Sequence, residues 1–249
     1  MSQLRKVIER AQRGEGPRLG FGASTHVKPR ALAIGMIALD ADGARQAVEA
    51  GADFVLFRAQ DTASAVEAIK GSSDTKAPLG AWLSNVGADD AQQLTEAGVD
   101  FVASSLEGTR ADALDSDQVG HVLAVTADID DTTLRTLGAL GLEGMFVKRP
   151  EGEMTLQNQV EFARLSVLSG LELFVSTSAD VSTGELRVLR DSGAVAVIAT
   201  EDSSAEALHG LNERLRTIPP RRAGSRGNDT PLLPTMARNS EEEEHEHDE

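Results

Sequence analysis

The stretch EAGADFVLFR, residues 49–58, ends a helical segment on a glycine and runs directly into a short apolar strand. The pattern returns as EAGVDFVASS (96–105), ALGLEGMFVK (139–148) and DSGAVAVIAT (191–200). Its glycines, Gly51, Gly98, Gly141 and Gly193, stand 47, 43 and 52 residues apart, about the length of two βα units. A glycine at the end of a helix supplies the left-handed turn that sends the chain into a strand.

Four further apolar runs lie between these: LAIGMIAL (32–39), PLGAWLS (78–84), GHVLAVTAD (120–128) and LELFVSTSA (171–179). Eight strands thus alternate with segments of helical composition, and only the fourth connection, EGTRADALDSDQ (107–118), is weak as a helix. Strands that are apolar without interruption are buried on both faces, as in a parallel sheet covered by helices. The expected fold is α/β, a single (β/α)8 TIM barrel. A doubly wound open sheet is the alternative, but GEGPRLGFG (14–22) has the wrong spacing for its phosphate loop and opens no helix.

The expected division is an N-terminal helix and lead-in at 1–30, the barrel at 31–218, and a disordered acidic C-terminal tail at 219–249. That tail carries four arginines, eight acidic residues and the run EEEEHEHDE, with His245 and His247 inside it. An unknown protein partner is expected for it.

The chain has no cysteine, so disulfides, thiolate nucleophiles and Cys-ligated metals are excluded. A formal charge of −16 argues against nucleic-acid and anionic-lipid partners. The longest apolar run is too short for a membrane span, and MSQLRKVIERAQ reads as an amphipathic helix rather than a signal peptide. The expectation is a soluble, cytoplasmic protein.

The repeat also aligns the strands. In the register that the barrel resemblance named below implies, positions three, five and seven after each glycine point inward, giving the layers Phe54, Phe101, Gly144 and Ala196, then Leu56, Ala103, Phe146 and Ile198, then Arg58, Ser105, Lys148 and Thr200. The last layer is polar and lies at the C-terminal strand ends, where active sites of this fold form. Arg58 and Lys148 would share a centre, neutralised by an anionic ligand or by Glu107, Asp128, Asp130, Glu201 or Asp202. Ser84, Thr126, Ser176 and Ser178 join Arg58, Ser105 and Thr200 as candidate ligand-binding residues.

Other chemistry is sparse. Of the histidines outside the tail, His26, His121 and His209, none falls at a C-terminal strand end. Asp128, Asp130 and Asp131 could hold Mg²⁺, or their segment could cap the following TTLRTL helix. Trp82 fits either a ligand pocket or the core. No metal or cofactor is expected.

AVEAGADFVLF, LTEAGVDFVAS and LRVLRDSGAVAVIAT give residues 30–217 a remote resemblance to the phosphate-binding (β/α)8 barrels. That group includes the tryptophan synthase alpha chain, thiamine phosphate synthase and 2-keto-3-deoxy-6-phosphogluconate aldolase. The resemblance implies that Lys148, in FVKRP, stands where the aldolases carry a Schiff-base lysine. It also exposes departures. The acid/base glutamate of the aldolases is missing from strand two, Leu56 stands at the glutamate position of the alpha chain, and the phosphate-binding turns read VSTSADVST and IATEDSS without glycine.

Two functions remain from the sequence. One is a barrel with degenerate site motifs that binds a small anion or serves as a scaffold, as a homo-oligomer. The other is a class I aldolase-like lyase acting on a small keto acid, with Lys148 as nucleophile, Arg58 as carboxylate clamp and Glu107 or Glu201 as proton carrier.

Overall fold

The computed structural model describes residues 2–13, 30–114 and 119–219. GEGPRLGFG, His26 and the expected acidic tail beyond Pro219 lie outside the described residues.

The strands are β1 (Ala33–Ala38), β2 (Phe54–Arg58), β3 (Leu79–Leu83), β4 (Phe101–Ser105), β5 (Gly120–Ala124), β6 (Gly144–Lys148), β7 (Glu172–Thr177) and β8 (Ala194–Ala199). They pair in parallel, each with its sequence neighbours, and β1 pairs with β8 to close the barrel. The outer ring is α2 (Ala41–Glu49), α3 (Thr62–Lys70), α4 (Ala88–Glu96), α5 (Asp131–Leu137), α6 (Leu156–Ser169), α7 (Thr183–Asp191) and α8 (Ala205–Arg216). The chain is therefore a single closed (β/α)8 barrel.

Between β4 and β5 the described residues form only a four-residue 3₁₀ turn, Ala111–Leu114. The weak helical composition of that connection shows directly in them. The glycines of the repeat all have positive φ, from 69° at Gly141 to 101° at Gly51, a conformation in which a side chain is strained.

Alternation along the strands divides the core in two. Phe54, Leu56, Phe101, Ala103, Phe146, Ala196 and Ile198 lie in the barrel interior, as the repeat register requires. Val55, Phe57, Val102, Met145, Val147 and Val197 face the helices. The interior is filled by setting rings against glycines. A Cβ on Gly35 would come within 2.3 Å of the Phe54 ring, one on Gly80 within 2.3 Å of Phe101, and one on Gly144 within 2.4 Å of Phe174. Phe54 meets Phe101 and Phe174 edge to face, with centroids 5.8 and 6.1 Å away.

The opposite, N-terminal end is stoppered by α1 (Gln3–Arg13). Its Leu4 and Ile8, one turn apart, belong to the interior cluster. Asp100 accepts the Gln3 and Leu4 N–H groups at 2.7 Å each, satisfying donors that a helix start leaves unpaired. Glu143 accepts the Ser2 hydroxyl at 2.5 Å. Asp53, at the equivalent place, accepts the Ile34 N–H at 2.8 Å and pairs with Arg30. These three acids sit two residues after the repeat glycines Gly51, Gly98 and Gly141. The repeated acid therefore builds the closed end of the barrel rather than its site.

Candidate functional site

At the C-terminal strand ends the polar layer separates into three groups. The first is centred on Trp82, in β3. Its ring packs against Phe146 of β6, with centroids 4.8 Å apart, and fills the upper interior. The Arg58 guanidinium stacks on that ring at 4.6 Å and donates to Glu201 at 2.5 Å. Cation, ring and carboxylate thus form a stack across the barrel mouth. Arg58 has chosen one of the acids on the rim, Glu201, and holds it from the loop after β8.

The second group is Lys148. Its side chain is 75% exposed, and Nζ lies 3.8 Å from Glu151, itself exposed. The inward register places Lys148 at the end of β6, but the Trp82–Phe146 layer already occupies the space beneath it. Instead of sharing a centre with Arg58, it extends into solvent. Its neighbour Arg149 turns the other way. It is largely buried, donates to the Pro150 and Gly152 carbonyls, and pairs with Glu185 of α7. Burial alone would raise the Glu185 carboxyl. The Arg149 hydrogen bond and the Ser182 N–H and hydroxyl outweigh it and hold the group below its usual range.

The third group lines a cleft of about 560 Å³ over the ends of β4 and β5, bounded by Ser105, Glu107, Thr126, Asp128, Asp130 and Thr133. It brings together three of the sequence candidates, Ser105, Glu107 and Thr126. Most polar atoms here are already engaged. Ser105 Oγ donates to the Ser84 carbonyl and accepts the Gly108 N–H, both at 3.0 Å. Asp130 caps α5, accepting the Thr132 and Thr133 N–H groups at 2.9 Å each. The Thr133 hydroxyl, first, and those N–H groups keep its carboxyl below the ordinary range, and the Thr126 hydroxyl does the same for Asp128. Among the described residues, no group of three or more His, Asp or Glu side chains could hold a metal. The cleft is acidic, without a lysine or arginine among the described residues of its wall.

The remaining candidates lie on the β7 and β8 side. Ser176 is buried, Ser178 is exposed and accepts the Asp180 N–H at 3.2 Å, and the Thr200 hydroxyl donates to Asp202. Ser178 and Thr200 are thus bonded to the chain's own groups. Trp82 is the important residue that the four-strand layers omitted, because they were drawn from β2, β4, β6 and β8 alone. The odd-numbered strands contribute the ring that fills the mouth.

No protein-family model matches the chain, and no curated protein sequence does. The tryptophan synthase of M. tuberculosis in its ligand-free form matches with a TM-score of 0.63 at 12% identity, over 87% of this chain and 98% of that one. The fold is that of the TIM barrels. A tryptophan synthase alpha subunit from Pyrococcus furiosus follows at a TM-score of 0.58 and 10% identity, covering 75% of this chain and 96% of that one. The phosphoribosyl anthranilate isomerase of Thermus thermophilus matches at 0.56 and 13%, over 75% and 99%. At these identities the TIM-barrel likeness concerns the backbone and not the chemistry of the rim. Among the described residues no helix is long and apolar enough to cross a membrane.

Proposed function

We propose that this barrel works by binding, as a scaffold, rather than as a Schiff-base lyase. The carrying observation is the sealed mouth: Trp82 and Phe146 fill the upper interior, and Arg58 is stacked on one and paired with Glu201. A Schiff-base lysine is activated by an apolar enclosure or an adjoining cation, and it must face an enclosed keto acid. Lys148 has neither, being three-quarters exposed beside Glu151. The cation that would clamp a substrate carboxylate is already paired.

Borohydride reduction in the presence of pyruvate, glyoxylate or 2-oxobutyrate tests this. The expected result is that Lys148 is modified no more than the exposed Lys70. Selective, keto-acid-dependent reduction onto Lys148, abolished in Lys148→Met, would establish the lyase reading instead.

A scaffold needs a face, and α6 supplies one. Leu156, Val160 and Val167 are 75%, 55% and 77% exposed, while Phe162, Leu165 and Ser169 on the same helix are buried in the core. With half-buried Ala163, the exposed residues fall at spacings of four, three and four, the seam of paired helices. A helix apolar on both faces is ordinarily covered on both. The occupant is a second copy of this chain. Elsewhere a charge of −16 makes two copies repel, whereas the seam residues Leu156, Val160, Ala163 and Val167 carry no charge. Sedimentation should give a dimer at micromolar concentration and a monomer for Val160→Asp/Val167→Asp. A monomeric wild type at all concentrations removes the α6 contact.

A further inference from the structure

The short fourth crossover leaves something behind it. Where a full helix would cover β4 and β5, the 3₁₀ turn Ala111–Leu114 spans a cavity of about 150 Å³ on the outer side of the barrel. Leu123, Leu137 and Leu142 give it apolar walls. His121 of β5 lines it as well, 6% exposed, with both ring nitrogens lacking a hydrogen-bond partner.

An imidazole buried without partners loses its contacts to water and gains nothing in exchange, which is destabilising unless something else supplies them. Burial also lowers the His121 pKa, so the ring is neutral near pH 7 and offers one donor and one acceptor. A second polar group lies on the same wall. Thr109 donates its hydroxyl proton to the Ser105 carbonyl at 2.5 Å, so the Ser104 hydroxyl donates to Thr109 at 2.6 Å and keeps its lone pairs free.

We infer that this cavity is a binding site for a small uncharged molecule, mainly apolar and of about the size of one aromatic ring, bearing a hydroxyl that bonds His121. The size follows from the volume, since an apolar cavity of about 150 Å³ holds one benzene-sized molecule. Lack of charge follows from the walls, which offer an ion no partner. The hydroxyl follows from the neutral imidazole, because O–H can donate to one group and accept from another. The site is separated from the barrel mouth by the β4–β5 wall and is independent of the scaffold reading.

Phenol is the probe, added to the full chain, with the His121 imidazole resonances followed by NMR. The expected result is a saturable shift of those resonances together with a raised melting temperature, and no such response to benzoate, which has the shape but carries a charge. His121→Phe keeps the ring volume and removes both nitrogens. It should weaken phenol binding about fivefold to tenfold, the net value of one buried hydrogen bond. An unmoved His121 resonance at saturating phenol overturns the inference, as does equal phenol affinity in His121→Phe or equal response to benzoate. If His121→Phe does not fold, the wild-type resonances decide alone.

Discussion

Phe54→Ala should lower the unfolding free energy by about 3–5 kcal/mol, the range for deleting a fully buried ring. Phe54 is 0% exposed and sits where two aromatic contacts and a glycine meet. Because Gly35 carries no side chain, nothing from that position of β1 can fill the void. Walls made by paired strands cannot close either, since the parallel ladder on both sides of β2 fixes their separation. Urea unfolding of the variant reads the loss directly. Adding Gly35→Leu to Phe54→Ala should recover part of it, because the new side chain enters the space that the ring left, whereas Gly35→Leu alone should destabilise by overpacking. A loss below about 1 kcal/mol would mean that the interior is not packed around this ring.

The barrel was legible because its determinants are local and repeated. The turn glycine, the apolar strand and the period of two βα units recur four times, and each copy fixes both a strand and its register. Even the exception could be read, since EGTRADALDSDQ lacks an apolar face and its described residues form only a 3₁₀ turn. The acids two residues after three of the repeat glycines were equally visible but carried no assignment. The partners of Asp100, the first N–H groups of α1, come from a segment about 100 residues away.

The rim was harder, for a reason that Lys148 illustrates. Register gives the direction in which a strand's side chain starts, but not whether space remains for it there. That depends on the volumes contributed by all eight strands, and the Trp82 ring from β3 takes the position toward which Arg58 and Lys148 would converge. A rigid ring cannot leave. The flexible lysine, whose amine loses favourable hydration on burial, goes outward to Glu151. His121 was invisible as a site for a related reason. A histidine on the helix-facing side of a strand reads as ordinary core, and only the missing helix turns it into the lining of a cavity.

Trp82→Ala should therefore have the second largest effect, and a different kind of consequence. Trp82 is half-buried, so the loss should be about 2–3 kcal/mol, below the range for a fully enclosed tryptophan. Arg58→Ala removes only the stacked cation and a partly exposed ion pair, and should cost about 0.5–1 kcal/mol. The inequality matters more than either value, because it says that the ring holds the mouth shut and that the salt bridge rests on the ring. As the chain's single tryptophan, Trp82 also reports on itself. Its emission in the wild type should be quenched by acrylamide less than that of free tryptophan, and Arg58→Ala should increase the quenching by uncovering the ring face. Without the ring, Phe146 becomes the floor of an open mouth, and Trp82→Ala should bind a hydrophobic dye that the wild type does not. Should Arg58→Ala prove the more damaging substitution, the mouth is held by charge rather than by the ring.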